Sequence, residues 1–439
     1  MRFDLVSIFP KFFDVLDLSL MGKAKESGAL QIAVHDLRDW TQDRHRTVDD
    51  TPYGGGAGMV MRPDIWGKAL DDVIGDTGRV VLAVPTPSGK PLLQNDVRDL
   101  ARADQIVIAC GRYEGIDQRV VDHYRSVPDV EVFEYSIGEY VLNGGEVAAV
   151  VLVEAISRLL DGFMGNPESL TEESFEGNVV EYPAYTRPPK WRGLEVPEVL
   201  QGGNHAAIEQ WRRGKSLERT ARVRPDLINK TDPSTLSIFD REVLARFGWL
   251  APRDAARWDR VTIRPATQND VAGIARVAEV TFPDACPPDV TVEAIREHVE
   301  NNLSEAVISG WIDSPRHRVM VADFHGEIAA YAMIELFEEG EYPDDIPAEL
   351  IEPAPTYVSK VYTLAKWRGS GLSGAIMEAA LADAEPHAFG TQAVLGTNVH
   401  NKRARKFYRR HDFKTAGRRT FDVAGIPNED VVMVRTLRG

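Results

Sequence analysis

Tyr135-Ser136-Ile137-Gly138-Glu139-Tyr140-Val141-Leu142-Asn143-Gly144-Gly145-Glu146 decides how the first half of this chain is read. It follows a strand-like run, Val130 to Phe133, and enters an apolar helix predicted over Val147 to Leu160. Between them lie three glycines, two tyrosines and two carboxylates. Glycine tolerates φ > 0 and lets backbone approach a ligand closely, so such a strand-to-helix loop suits a flat heteroaromatic ring. Glycine-rich turns also arise for steric reasons alone, and a second loop sharpens the reading. Gln105 to Cys110 is a buried-strand pattern, followed by Gly111-Arg112-Tyr113-Glu114-Gly115-Ile116-Asp117. A third strand, Arg79 to Val84, runs into a predicted loop, Pro85-Thr86-Pro87-Ser88-Gly89-Lys90. Three apolar strands ending in such loops predict a parallel α/β sheet with ligand at its carboxyl edge. None of the loops has the spacing of a dinucleotide fingerprint or a P-loop.

At 439 residues the chain has room for two or three domains. Its 43% hydrophobic content is that of a soluble globular protein. The longest apolar run, Val147 to Val153, stops at Glu154, too short to cross a bilayer, so no membrane partner is expected. Asp4 interrupts what would be a signal core. Cys110 and Cys286 are the only cysteines and no Cys/His cluster exists, which fits a reducing cytoplasm and no metal site built on cysteine. A net charge of −16 argues against indiscriminate nucleic-acid binding. Yet from Arg187 to Arg224 nine Lys/Arg face four acids, a local excess of five positive charges. That run reads either as a solvated helix face or as a phosphate-contacting surface.

The strings Asp43-Arg44-His45-Arg46-Thr47-Val48-Asp49-Asp50, Pro52-Tyr53-Gly54-Gly55-Gly56-Ala57-Gly58-Met59, Gly111 to Asp117 and Ser136 to Glu146 occur together and in order. Tyr185-Thr186-Arg187-Pro188, Gly203-Asn204-His205 and Trp211-Arg212-Arg213 follow. Over about residues 1–250 the chain resembles the bacterial tRNA (guanine-N1)-methyltransferases of the SPOUT class, the TrmD family. The resemblance implies an α/β SPOUT-type parallel sheet with a deep trefoil knot, a small helical RNA-binding domain, and S-adenosylmethionine as methyl donor to N1 of guanosine 37 of tRNA. It also implies a homodimer with a shared active site, and it allows Mg²⁺ to assist.

On the same resemblance, the cofactor lies against Pro87, Gly111, Tyr113, Glu114, Ile137, Gly138, Glu139, Tyr140, Val141, Leu142, Gly144 and Gly145. Guanine N1 carries a proton at neutral pH, so transfer needs a carboxylate to take it and a donor for the charge developing on O6. The family's base is an aspartate in a linker Asp-Ser-Phe; here Glu173-Ser174-Phe175 stands in its place, a stem one methylene longer. Glu172 is the neighbouring alternative, and Glu139 is a similar departure inside the cofactor loop. Arg158 matches the arginine that holds O6. Its spacing from Glu154 equally makes an ordinary i,i+4 ion pair, and the residues alone leave both readings open. For tRNA contact the resemblance points to His45, Asp50, Arg187, His205, Arg212, Arg213 and Lys215. A capping role for His205 and a tight turn at Tyr53 to Gly56 are the structural alternatives.

The organisation predicted is 1–160 methyltransferase domain, 161–176 linker, 177–250 helical RNA-binding domain with Asn204 capping a helix and a second helix over Leu236 to Phe247, 251–260 linker, and 261–439 a separate module. In that module strands are predicted at Val261 to Ala266, Arg318 to Asp323, Glu327 to Leu336 and Tyr357 to Leu364. The last enters Lys366-Trp367-Arg368-Gly369-Ser370-Gly371-Leu372-Ser373-Gly374 and an amphipathic helix. A glycine-rich turn at a helix N-terminus suits a pyrophosphate. With Asn401 to Tyr408 on a basic helix, the module resembles the GNAT-type acyltransferases, an α+β fold using acetyl-CoA. The residues this implies at the acyl-CoA site are Lys366, Arg368, Gly369, Ser370, Gly371, Leu372, Asn401 and Tyr408. Lys366 departs from the usual Gln/Arg, and His411-Asp412-Phe413 from the usual Gly-Phe. The module is thus either an acyltransferase of unknown acceptor or a non-catalytic CoA-binding or structural module.

Overall fold

Strands covered on both faces are apolar without alternation, and three runs of this chain meet that condition. The computed structural model describes residues 1–75, 78–164, 175–286, 290–423 and 426–437. It divides into two compact units, Met1–Glu172 and Glu173–Gly439. In the first, β1 (Arg2–Ser7), β2 (Gln31–Asp36), β3 (Val80–Pro91), β4 (Gln105–Ala109) and β5 (Val130–Ser136) form one parallel sheet, ordered β2-β1-β4-β3-β5. Helices α1 (Ser19–Glu26), α3 (Gln94–Leu100) and α5 (Glu146–Ser157) bury Met21, Leu100 and Leu152 against Phe3, Val81 and Ile106 on one face. On the other, α2 (Pro63–Val73) and α4 (Gln118–Tyr124) bury Trp66, Leu70 and Val121 against Val6, Leu82 and Val107. Successive strand residues thus feed two separate cores, which is the three-layer arrangement expected of parallel α/β.

Two local expectations change. The predicted loop Pro85 to Lys90 lies inside β3: Pro85 and Lys90 both sit opposite Tyr135, so residues 86–89 bulge out and the strand resumes. The apolar helix begins at Glu146 and ends at Ser157, short of Leu160; Leu159 and Leu160 continue it only as tight turns onto Ile156 and Ser157.

The second unit opens with α6 (His205–Val223), capped as predicted by Asn204, whose side chain accepts from the Ala207 N–H at 3.3 Å. Next comes α7 (Ile238–Arg246), which starts two residues later than predicted because Ser237 and Asp240 form a reciprocal capping box. A seven-stranded mixed sheet follows: β6 (Thr262–Pro265), β7 (His317–Phe324), β8 (Glu327–Leu336), β9 (Thr356–Thr363), β10 (Gln392–Asn398), β11 (Lys414–Val423) and β12 (Ile426–Thr436), ordered β6-β7-β8-β9-β10-β12-β11. Helices α8 (Val271–Thr281), α9 (Val292–Asn302) and α10 (Glu305–Asp313) adjoin one core, and α11 (Leu372–Ala384) and α12 (Lys402–Arg410) the other. β9 and β10 are parallel but pair only at Thr356–Ala393 and Tyr357–Val394, then part.

Residues 251–260 are fixed within this unit. The buried Arg241 guanidinium of α7 donates to the carbonyls of Pro233, Pro252 and Arg253 at 2.6, 3.2 and 2.9 Å. Ala245 and Leu250 share one core with Trp367, Leu372 and Ile376.

Candidate functional site

Because β3, β4 and β5 end on the same edge of the first sheet, segments 85–90, 111–117 and 137–145 are brought together there. The Gly145 N–H donates to the Gly111 carbonyl at 2.9 Å, and Arg112 and Gly144 form an antiparallel bridge. A side chain at Gly145 would meet Pro85 Cγ at 2.7 Å and Cys110 Cα at 3.1 Å, so this crossing of loops admits only glycine. The predicted Gly111, Gly144 and Gly145 are therefore in direct apposition, with Pro87 on the adjoining bulge. Tyr113, at φ +58°, and Tyr140 present half-exposed rings at the same edge. Tyr140 closes its own loop, its hydroxyl donating to the Ile137 carbonyl at 3.1 Å and its N–H to Gly138. Glu139, Val141 and Leu142 are exposed. The Glu114 N–H donates to the Met59 carbonyl at 2.9 Å, so the strip Pro52 to Met59 leans on this loop.

The sequence reading missed what locks these loops. Glu146, 1% exposed, accepts from the Ser7 hydroxyl at 2.7 Å and pairs with Arg112 Nε at 2.9 Å. One carboxylate thereby ties β1, the 111–117 loop and the start of α5. One of only two acids in an otherwise apolar helix, at its first position, was the available signal. Burial, reinforced by Glu146, pushes the Cys110 thiol well up, leaving it an inert wall. Arg158 caps the end of α5, half-buried, and Glu154 is exposed. The predicted base Glu173, with Glu172 and Ser174, lies outside the described residues. Among the described residues no three His, Cys, Asp or Glu gather closely enough to hold a metal ion, so they offer no protein cage for Mg²⁺.

His45 is exposed, and exposed Asp50 sits on a two-residue ribbon, Asp49–Asp50 against Val60–Met61. In the second unit, Arg187 is exposed, and His205 is exposed at the first turn of α6. Arg212 stacks over Tyr182 at 4.8 Å. Arg213 is engaged by Asp240 at 2.9 Å, holding α6 to α7, and Lys215 by Glu218 at 2.8 Å. The local charge excess is therefore partly consumed in internal pairs.

A cavity of about 1210 Å³ opens where β9 and β10 part. Of the residues named for acyl-CoA, Arg368, Gly369, Gly371, Asn401 and Tyr408 line it. Lys366, Ser370 and Leu372 do not. The first pairs with Glu327 at 2.6 Å, the Ser370 hydroxyl is buried on the Trp367 carbonyl, and Leu372 belongs to the core. Gly371, at φ +91°, is the N-cap of α11. Its missing side chain admits the backbone of α7: a Cβ there would meet Glu242 N at 2.4 Å. Burial pushes the Tyr408 phenol up to about 12.

Asp412, at φ +65°, takes the left-handed conformation that the usual glycine would adopt. The adjacent His411 is buried, its Nδ1 3.0 Å from Glu378 and its Nε2 3.4 Å from Glu242 of α7. Burial alone would raise the Glu378 carboxyl, but His411 and Arg435 hold it down to about 2. Burial would lower His411; the two carboxylates outweigh it and keep its pKa raised.

Residues 1–230 match the family model described as tRNA (Guanine-1)-methyltransferase TrmD, and residues 287–413 the Acetyltransferase (GNAT) family. The chain is 57% identical over 255 residues to a tRNA (guanine-N(1)-)-methyltransferase of Thermobifida fusca (strain YX), covering 56% of this chain and 96% of that protein. A protein of the same description from Clavibacter sepedonicus is 57% identical over 228 residues, 52% of this chain and 99% of its own length. Another, from Kineococcus radiotolerans, is 53% identical over 258 residues, with 57% and 92% covered.

Proposed function

The chain belongs to the TrmD family of tRNA (guanine-1)-methyltransferases, and from that premise we propose that it methylates N1 of guanosine 37 of tRNA, next to the anticodon. It is a tRNA guanine-N1 methyltransferase using S-adenosylmethionine, carrying a fused GNAT domain. The observation that carries the site assignment is the meeting of Gly111 with Gly145 at the carboxyl edge of β3, β4 and β5. The residues fit the cofactor: glycines that admit a close backbone approach, flanked by the rings of Tyr113 and Tyr140. S-adenosylmethionine, when bound, supplies a methyl group on an electrophilic sulfonium.

The chain's own residues then have two tasks. Glu173 takes the guanine N1 proton, and its longer stem supplies the same acid as the family's aspartate. Arg158 donates toward O6, where negative charge develops as that proton leaves. Family resemblance supports both roles. We assign the wall to Gly111, Tyr113, Glu114, Gly144 and Gly145, and tRNA contact to His45, Asp50, Arg187, His205 and Arg212.

The working form is a homodimer in which the linker carboxylate serves the partner's cofactor pocket, and the crossing of the 111–117 and 137–145 loops belongs to a trefoil knot. In favour of the dimer, α5 leaves Val147 and Val151 exposed. The cytoplasm is its compartment, in keeping with two unpaired cysteines. Among the described residues no helix is long and apolar enough to cross a membrane.

Labelled methyl transfer to unmodified tRNA carrying guanosines at 36 and 37 tests the position. Label elsewhere than N1 of guanosine 37, from folded and cofactor-loaded protein, refutes it. A monomer with full activity refutes the shared site. Loss of transfer in EDTA, restored by Mg²⁺, decides whether the cation assists.

For the GNAT domain, whose family implies acyl-CoA binding, we propose a working acyltransferase with its donor in the cavity between β9 and β10. Arg403, Lys406 and Arg410 line the same cavity as Gly369 and Gly371 and offer charge to the donor's phosphates. Calorimetry with acetyl-CoA tests this; absence of binding leaves the domain a structural module.

A further inference from the structure

The far end of the β9–β10 cavity is built from charged groups that mostly satisfy one another. Arg419 pairs with Asp345 and, at 3.3 Å, with Asp430; Arg316 pairs with Glu341. Of the charged lining groups that are not exposed, two stand apart: Lys360 of β9 and Glu335 of β8 have no ion pair within 4.0 Å among the described residues, whereas Asp344, also without one, is exposed. Lys360 Nζ makes only a 3.2 Å contact with the Ser359 hydroxyl and lies 4.9 Å over the Trp311 ring. A half-buried lysine facing a large cavity with no counter-ion in contact is a costly arrangement for a purely structural residue.

Its place in the sheet is set by a bulge. Ile334 lies opposite Val358 and Met333 opposite Lys360, so Ser359 is the extra residue. The bulge occurs just past Tyr357, the last β9 residue paired with β10. Lys360 therefore stands at the start of the notch between the parted strands. At about 3.3 Å per residue it lies roughly 10 Å back along β9 from Thr363, beyond which the glycine-rich turn begins. A thiol arm extended from that turn into the notch ends in its neighbourhood.

We propose that Lys360 is itself an acyl acceptor: the GNAT domain transfers one acyl group from acyl-CoA to its own Lys360 Nζ. This rests on the reading that the cavity binds acyl-CoA. The Lys360 ammonium loses its proton through water in the cavity to Glu335, the lining carboxylate that is neither exposed nor in an ion pair. The neutral Nζ attacks the thioester carbonyl carbon; the C–N bond forms and the C–S bond breaks. Coenzyme A leaves as a thiolate and takes the proton shed by the new amide nitrogen. The net change is amine plus thioester to amide plus thiol, with no further reactant.

Burial lowers the Lys360 pKa to about 8, against smaller opposing effects of Glu335 and Asp345. At pH 8 half of such lysines are neutral, against roughly one in 250 for an ordinary lysine. Burial in turn raises Glu335, matching it to a proton-accepting role. The other titratable groups facing Lys360 are His298 of α9 and His317 of β7, both lowered by burial and by Lys360 itself, and so neutral companions.

The test uses the full chain and acetyl-CoA, with binding followed by calorimetry, thiol release by a colorimetric reagent, and the modified residue by peptide mass spectrometry. The expected result is one acetyl group and one thiol per chain, located on Lys360, and neither from heat-unfolded protein. Lys360→Arg and Lys360→Met should keep acetyl-CoA binding and the parent melting temperature, yet release no thiol beyond background. Binding without acetylation of Lys360, or acetyl groups spread evenly over surface lysines, overturns the inference while leaving the cavity reading intact. No binding overturns both.

Discussion

The Arg112–Glu146 pair gives the proposed methyl-transfer site its sharpest energetic test. Replacing Arg112 with Met strands a carboxylate that is 1% exposed. Breaking a buried pair by removing one partner costs about 3–5 kcal/mol. Ser7 still donates to Glu146 at 2.7 Å, and the Arg112 side chain is 20% exposed, so the lower end, about 3 kcal/mol, applies. Glu146 escapes that penalty by drawing water in, which separates the 111–117 loop from Gly144 and Gly145. If all of it appears in cofactor binding, affinity falls by at most ~150-fold, at 1.4 kcal/mol per tenfold. The expected range is roughly 20–150-fold, read by calorimetry with S-adenosylmethionine. Adding Glu146→Gln removes the stranded charge and should recover affinity to within about tenfold of the parent, since exchanging both members of a buried pair is often near neutral. If Arg112→Met alone binds within about threefold of the parent, or the double variant stays as weak as the single, the pair does not organise the pocket.

Glu173→Gln should reduce methyl transfer by about 10²–10⁴-fold, the usual worth of a general base, with S-adenosylmethionine affinity nearly unchanged; unaltered turnover moves the role to Glu172. Gly371→Ala combines a left-handed backbone with a clash on α7, costing about 2–5 kcal/mol, and should lower the melting temperature of the second unit; an unchanged melt refutes the tight contact. His411 has a raised pKa through Glu242 and Glu378, so its stabilisation is full below its unfolded value, near 6.5. It disappears as pH climbs through the higher folded value. The stability difference between parent and His411→Asn should therefore narrow from pH 6 upward in a pH series of thermal melts, and a constant difference would exclude that protonation linkage.

Sequence alone carried the catalytic half far because its decisive residues sit in contiguous loops after apolar strands. Continuous apolar runs placed β3, β4 and β5, and composition marked the 111–117 and 137–145 loops. Register was less accessible. That Pro85 and Lys90 share one partner, and that β3 resumes after bulging, depends on β5 lying alongside. Charges were harder still: Arg213 looked like a phosphate ligand within a basic run, but its partner Asp240 is far along the chain and belongs to a capping box. Glu146 and Ser7 are separated by most of the first unit, and no local pattern announces their bond. Residues 251–260 read as a linker from Pro, Asp and Arg content, whereas Arg241 binds their carbonyls one after another.

Helix α7 carries an implication for how the two halves of the chain are joined. The turn that would receive acyl-CoA rests its Gly371 on the main chain of α7, upstream of the GNAT match, and Leu250 is sealed into the same apolar interior as Trp367. Severing the polypeptide after Leu250 would bare oily surface on both pieces and leave Glu242 and His411 without each other. The boundary between the two family matches is thus a packed interior rather than a tether, and a cut there has to replace the surfaces it exposes.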